Sequence, residues 1–228
     1  MISKNYRYEV KFIITAQESI ILRNLLSGLM QKDKNSGASG GYSTRSLYFD
    51  TLDNRDFHEK GNGLLERRKI RLRSYSPEAP FLKLEIKNRN NRGILKETAV
   101  LSRPEALDLI SGETDFLLSS NYPAARQVYS YFRKELHRPV VIIDYEREAF
   151  TLPLFDTRIT FDSNIRGTSM IDISIPTSRL VPLYGPEKLI LEVKYTGMLP
   201  SYLRRLLGCI QARPVSFSKY YLARAVLL

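Results

Sequence analysis

The chain has 228 residues, 43% of them hydrophobic, which is enough to bury a full core, so we expect a single domain over residues 1–228. Lys and Arg total 35 against 24 Asp and Glu, and the resulting net charge of +11 favours an anionic partner: nucleic acid, anionic lipid or polyphosphate. A single cysteine excludes a disulfide framework, and the lack of a signal-peptide core or a long apolar run predicts a cytoplasmic protein without a membrane span.

The first half of the chain reads as one helix followed by strands. Thr15 and Glu18 have capping-box spacing and precede apolar residues at helical spacing, which predicts a helix over 16–31. A loop rich in Lys, Asn, Ser and Gly follows over 32–41. Alternating segments between turn-forming residues then predict strands over 43–50, 64–75, 80–88 and 94–101.

The second half mixes helices and strands. Ser102 and Glu105 repeat the capping-box pattern and predict a short helix that stops near Gly112, and a second helix is expected over 123–136. Cys209 lies in an apolar helical run, which predicts a buried thiol. The remaining predicted elements are strands over 139–150, 157–162, 168–174 and 187–195 and helices over 200–211 and 217–227.

The polar positions of the strands are themselves patterned. Successive side chains of a strand point to opposite faces, so Lys69, Arg71 and Arg73 share a face opposite Ile70 and Leu72. At least six strands carry such a charged stripe. The other stripes contain Glu9 and Lys11; Lys83, Glu85 and Lys87; Lys96 and Thr98; Tyr145 and Arg147; Arg158, Thr160 and Asp162; and Glu192 and Lys194.

These stripes have two interpretations. They could be the solvated outer face of a sandwich, which is the usual reading of any one strand. The repeated choice of Arg and Lys, and helices with apolar faces able to cover a barrel from outside, favour stripes that face inward. Charges about 6 Å apart then repel by roughly 3 kcal/mol at an effective dielectric near 20, so anions must lie between them. A chain of phosphates meets that need, since Arg binds phosphate oxygens in pairs and Lys supplies point charge.

The carboxylates among these cations are either ion-pair partners or metal ligands. Hard divalent cations bind a few carboxylate oxygens together with substrate phosphates. Glu192 is the first choice as a ligand, and the alternatives stay open for Glu9, Glu85 and Asp162.

Eight short motifs, in order along the whole chain, resemble those of one family. The sequence resembles the polyphosphate polymerase domain of the vacuolar transporter chaperone (VTC) group, within the triphosphate tunnel metalloenzymes related to CYTH domains. Each motif is weak alone, and the ordered set is specific. The motifs span residues 8–12, 45–50, 71–75, 84–87, 144–147, 158–162, 191–195 and 217–220.

The resemblance implies an α+β fold, a closed eight-stranded antiparallel β-barrel (the triphosphate tunnel fold) with surrounding helices. It implies a metal-dependent phosphotransferase that uses Mn²⁺ or Mg²⁺ and transfers the terminal phosphoryl group of ATP to polyphosphate. Glu192 and Glu9 correspond to metal-binding carboxylates. The positions carried over as catalytic are Arg71, Arg73, Lys87, Arg147, Lys194 and Lys219, and those carried over as substrate-binding are Lys11, Arg45, Tyr48, Lys96, Arg158 and Ser218.

One departure from the pattern affects the expected reaction. CYTH-type members carry Glu-x-Glu-x-Lys, whereas this chain has Arg7 in place of the first Glu. The missing carboxylate argues against an efficient two-metal triphosphatase and favours the polymerase branch. Hydrolysis of inorganic triphosphate or of a nucleoside triphosphate remains an alternative, as does a non-catalytic protein that binds polyphosphate or nucleic acid. We expect no nucleic-acid partner, since exposed aromatic residues interleaved with cations on an open sheet are not evident.

Overall fold

The structure, a computed structural model, describes residues 8–37, 40–90 and 93–228. Within these ranges it is an α+β fold of antiparallel strands and helices, as predicted. The strands are β1 Tyr8–Thr15, β2 Gln31–Lys32, β3 Tyr42–Asp50, β4 Arg67–Ser74, β5 Phe81–Asn90, β6 Gly93–Ser102, β7 Arg138–Leu152, β8 Thr157–Thr168, β9 Val181–Pro182 and β10 Lys188–Tyr195. The helices are α1 Ala16–Ser27, α2 Arg55–Gly61, α3 Arg103–Ser111, α4 Pro123–Glu135, α5 Ser201–Leu207 and α6 Lys219–Leu227.

The chain forms two compact units. The first consists of Met1–Ser43, Tyr145–Ile165 and Tyr184–Ser218, and the second of Thr44–Asp144, Arg166–Leu183 and Lys219–Leu228. The first unit contains β1, β10, most of β8 and the second half of β7, and the second contains most of β3 together with β4, β5 and β6. Whether the two units act as the single domain expected from the sequence stays a prediction.

The first unit packs two helices against one face of its strands. Thr15 and Glu18 form the predicted capping box at the start of α1. Leu22 and Leu26 of α1 and Leu203 of α5 enter a core with apolar residues of β1, β8 and β10. The helix ends at Ser27 rather than at residue 31, because Gly28 follows and Gln31–Lys32 pairs with β7 instead.

The second unit is built in the same way around a separate core. The alternating apolar residues of β3 to β6 face α3 and α4, and Val128 of α4 is fully buried among them. Ser102 and Glu105 form the predicted capping box of α3, and Gly112 ends that helix in the left-handed conformation. The polar positions of the same strands therefore point away from this core.

Two local predictions are wrong. Strand β8 ends at Thr168, so no strand covers 169–174, where Asp172 instead accepts backbone bonds within a turn. Cys209 is exposed, because it follows the end of α5 at Leu207 and its Sγ lies 3.6 Å from the carbonyl oxygen of Arg205. No helix of the described ranges is both long and apolar enough to cross a membrane.

The sequence analysis did not predict helix α2, which forms between the strands expected over 43–50 and 64–75. Its first turn is held from outside the helix, because the buried carboxylate of Asp50 accepts hydrogen bonds from the backbone of Asp56 and Phe57. The Thr51 hydroxyl accepts another from the backbone of Arg55. These acceptors lie four to seven residues before their donors, beyond the reach of a local capping pattern.

Asp56 makes the stability of the second unit depend on pH. Its side chain is 1% exposed, and neither carboxylate oxygen has a hydrogen-bond partner among the described residues. Burial, and then the neighbouring carboxylate of Asp50, raise the pKa of Asp56 to about 7. A carboxyl group with a raised pKa binds its proton more tightly in the folded chain. The contribution of Asp56 to the free energy of unfolding is therefore complete below the ordinary pKa of 3.8 and is lost as the pH rises through about 7.

We expect the Asp56→Asn variant to lack this pH dependence. Urea unfolding should show the wild-type protein losing up to roughly 4 kcal/mol between pH 4 and pH 8, while the variant loses much less. The exposed residue Asp108 supplies a control, Asp108→Asn, that should follow the wild type. Equal curves for the wild type and Asp56→Asn would contradict the assignment.

Candidate functional site

The polar side of β4, β5 and β6 carries a cluster of cations, here called the second-unit cationic face. Cross-strand neighbours form rungs: Arg73 lies opposite Lys83, and Lys69 lies opposite Lys87, which in turn faces Lys96. Like charges placed opposite each other in a ladder are destabilising. The face consists of Lys69, Arg71, Arg73, Lys83, Glu85, Lys87, Lys96 and Thr98, so six cations and one carboxylate leave 6 − 1 = +5.

Glu85 is the carboxylate at the centre of this face and is 2% exposed. Arg71 donates to it through Nε at 2.8 Å and Nη2 at 2.7 Å, and Lys96 Nζ lies at 3.0 Å. Arg73 Nη1 lies 3.5 Å away. Burial alone would raise the pKa of Glu85, but Arg71 and Lys96 outweigh burial and lower it to about 2. The charged form therefore orients three cations at once.

Tyr48 supports the same face. Its hydroxyl accepts a hydrogen bond from Arg71 Nη1 at 3.0 Å, and its side chain is nearly buried against the ring of Tyr220 at 5.2 Å. Both tyrosines belong to the second unit, Tyr220 through α6. Tyr48, expected from the sequence to bind substrate, is thus placed to position Arg71.

Arg45 is a predicted site residue of this unit that the structure takes away from the face. It shares the side of β3 that carries Leu47 and Phe49, which belong to the core. Its guanidinium forms a two-bond pair with Asp144 at 2.8 and 2.6 Å. It also donates to the carbonyl oxygens of residues 173 and 175. With a further bond from Nη2 to the Thr177 hydroxyl at 3.3 Å, these contacts use all the N–H donors of Arg45, so its role is to hold the fold.

The first unit brings together a different cluster, here called the first-unit ion-pair cluster. Register places Lys11 opposite Glu192, and Glu9 opposite Lys194. The next strand adds Arg158 opposite Lys194. The cluster consists of Glu9, Lys11, Arg147, Arg158, Asp162, Glu192 and Lys194, all predicted from the sequence as charged-stripe positions.

Glu192 is the centre of that cluster and is 5% exposed. Its carboxylate lies 3.0 Å from Lys194 Nζ, 3.5 Å from Arg147 Nη2 and 3.7 Å from Lys11 Nζ. Burial alone would raise the pKa of Glu192, but Lys194 and then Lys11 outweigh it and hold the pKa well below its usual range. Glu192 is therefore ionised at neutral pH.

Lys11 is held from two sides. Its Nζ lies 3.0 Å from a Glu9 oxygen and donates to the carbonyl oxygen of Phe217 at 3.0 Å. Burial alone would lower the pKa of Lys11, but Glu9 and Glu192 raise it above its usual range. The segment before α6 is thereby tied to β1, which places Ser218 beside the cluster's strand.

The two arginines of the cluster already have acidic partners. Arg147 forms a two-bond pair with Asp162 at 2.6 and 2.7 Å. Arg158 lies 2.8 Å from Asp33 and donates to the Tyr42 hydroxyl at 2.8 Å. Asp33 and Tyr42 were missed by the sequence reasoning, since neither stands at an alternating charged position of a predicted strand.

Comparison with known families decides where the chain belongs. The model of the VTC domain matches residues 6–228. The chain belongs to the VTC domain family. This confirms the resemblance carried by the eight motifs, while comparison with curated protein sequences gives no match.

Solved structures show the same fold at low sequence identity. HpAC1 from Hippeastrum, described as a candidate adenylyl cyclase with a dominant triphosphatase activity, has a TM-score of 0.58 and 13% identity, with 96% of each chain covered. The PH1819 protein from Pyrococcus horikoshii has a TM-score of 0.50 and 14% identity, with 96% of this chain and 98% of that chain covered. These likenesses show a shared fold and nothing further about activity.

The carboxylates of this VTC domain fit a metal bound jointly with substrate. Among the residues that the structure describes, no group of three or more His, Cys, Asp or Glu side chains could hold a metal ion alone. Glu9 and Glu192 do converge, since Lys11 Nζ lies 3.0 Å from an oxygen of Glu9 and 3.7 Å from an oxygen of Glu192. Mg²⁺ commonly takes one or two carboxylates and completes its coordination with water and substrate phosphates. Arg7, the position that departs from the CYTH pattern, lies outside the described residues.

We expect Glu85→Gln to destabilise the VTC domain by roughly 3 kcal/mol, since it leaves three cations without their counter-charge. The loss should be largest at low ionic strength and shrink with added salt, which screens repulsion between the cations. Chemical unfolding at two salt concentrations measures both effects. The matched control is Glu97→Gln, which removes a carboxylate from the opposite side of β6. A salt response no greater than that of the control would show that Glu85 does not balance the face.

Proposed function

We propose that this VTC domain is a metal-dependent phosphotransferase that adds the terminal phosphoryl group of ATP to a polyphosphate chain. The observation that carries the proposal is the second-unit cationic face, where six cations stand on neighbouring strands around one carboxylate. A multivalent, unbranched anion neutralises such rungs with little distortion of the strands. Family membership supports the same substrate class.

The arginines of the face suit phosphate binding because they are already oriented. Arg71 is fixed by Glu85 and Tyr48. Arg73 has a buried Nε without a hydrogen-bond partner among the described residues, and such a donor needs an acceptor. In this proposal Lys87, Lys96 and Lys219 add point charge, and Tyr48 acts through Arg71.

The first-unit ion-pair cluster contains the carboxylates that would bind the divalent metal ion. Glu192, with Glu9, would hold Mn²⁺ or Mg²⁺, which neutralises phosphate charge when bound. Lys11 and Lys194 flank these carboxylates and would contact phosphate oxygens at the same place, together with Arg147, Arg158 and Ser218. The closed eight-stranded barrel implied by the resemblance is part of this proposal.

The reaction requires no protein nucleophile. A terminal oxygen of the polyphosphate attacks the γ-phosphorus of ATP, the bond from that phosphorus to the β,γ-bridging oxygen breaks, and ADP leaves with the electron pair. Positioning and charge neutralisation supply most of the rate in such transfers. The chain's own residues thus act by holding the terminal phosphate of the polyphosphate and the γ-phosphoryl group of ATP in line, and by reducing the charge repulsion between them.

Incubation with ATP and Mn²⁺ should yield ADP and polyphosphate of mixed chain length, resolved on a gel. Release of orthophosphate without longer chains would contradict polymerisation and support the triphosphatase alternative, which shares the metal and cation requirements. Binding of either polyphosphate or RNA without turnover would instead support a non-catalytic protein. In the RNA case, affinity should fall steeply with salt and be unchanged by Glu192→Ala.

Replacing Arg73 by Gln should lower kcat/KM for ATP about 100-fold, because the variant loses a donor aimed at phosphate charge. Steady-state kinetics measures this loss. Arg133→Gln removes the same charge from the exposed side of α4 and should leave kcat/KM unchanged. If both variants lose activity equally, net charge rather than the cationic face governs the reaction.

A further inference from the structure

The cations of the second-unit cationic face continue past the residues expected from the family resemblance. Arg67 and Arg89 lie directly opposite each other at the end of the β4–β5 ladder. They share the strand parity of Lys69 and Lys87, the adjacent rung. Of the four rungs from Arg73 to Arg67, three therefore place a cation against a cation, and only the rung of Arg71 contains a carboxylate.

The outer rung, Arg67 and Arg89, lies in a pocket that also contains Glu59, Glu66 and Glu135. Arg55 and Arg68 line the same pocket of about 380 Å³ as the outer rung, and both bind Glu135. Arg67 donates to the carbonyl oxygen of Leu64, an uncharged partner. Burial, and then the charge of Arg89, lower the pKa of Arg67, which is the direction expected for a cation crowded by another. An anion between the two guanidinium groups would remove this repulsion.

We propose that the outer rung is a binding subsite for the distal part of a polyphosphate chain, used only by chains longer than triphosphate. Arg67 stands six residues from Arg73, or about 20 Å along an extended strand, farther than a triphosphate bound near Arg73 can reach. Arginine suits such an outer position because its planar group binds phosphate oxygens in pairs while remaining partly hydrated. This inference rests on the proposed function, since it assumes that phosphate binds the inner rungs.

The test compares two ligands on one double variant, Arg67→Gln/Arg89→Gln. Calorimetric titration at fixed ionic strength should show tripolyphosphate binding equally to variant and wild type. A long-chain polyphosphate should bind the variant about tenfold more weakly, as expected for the loss of two phosphate contacts. Arg67→Lys/Arg89→Lys should recover part of the affinity, because the charge returns without the paired donors. Thermal unfolding should show no loss of stability in the glutamine variant, since the change removes repulsion.

The matched control is Arg126→Gln/Arg133→Gln, which removes two exposed arginines from α4 of the same unit. It should leave both affinities at wild-type values. Equal weakening by the control, or equal weakening of both ligands in Arg67→Gln/Arg89→Gln, would overturn the outer subsite and leave the proposed function standing. Failure of the wild type to bind tripolyphosphate at all would overturn the proposed function and the subsite with it.

Discussion

Glu85 is the counter-charge on which the second-unit cationic face depends. Without it, Arg71, Arg73 and Lys96 would repel one another on adjacent strands with no buried partner. With it, the arginine side chains lose much of their rotational freedom before any ligand arrives, and ordering them on binding costs less. One carboxylate cannot neutralise six cations, so the face remains both ordered and strongly positive. That combination is what a multivalent anion requires of its site.

The first-unit ion-pair cluster differs from the second-unit cationic face in its charge balance. Its four cations, Lys11, Arg147, Arg158 and Lys194, have four acidic partners, Glu9, Asp33, Asp162 and Glu192. A balanced cluster can accept a divalent cation without first overcoming an excess of positive charge. The first-unit ion-pair cluster is therefore balanced in charge, in contrast to the second-unit cationic face.

The sequence predicted most of this arrangement because strand parity determines which face a side chain occupies. It predicted both capping boxes, the long helices and the charged stripes, since each depends on residues close together in the chain. It failed where distant residues decide. Asp50 holds α2 from outside the helix, and Asp33 pairs with Arg158 across a long separation, and neither contact has a local pattern. Arg45 was carried over with its motif although its own parity places it on the core side.

A connected series of contacts joins the core of the second unit to its cationic face. Buried Asp50 accepts a hydrogen bond from the Tyr220 hydroxyl, Tyr220 packs on Tyr48, and Tyr48 accepts from Arg71. Burial, and then Asp50, raise the pKa of Tyr220 above its usual range, so the phenol stays protonated and the series survives across ordinary pH. The position of Arg71 is thus set through Tyr48 by Tyr220 and Asp50. Substitutions at Tyr220 should therefore change the orientation of Arg71 even though the charge of the face is untouched.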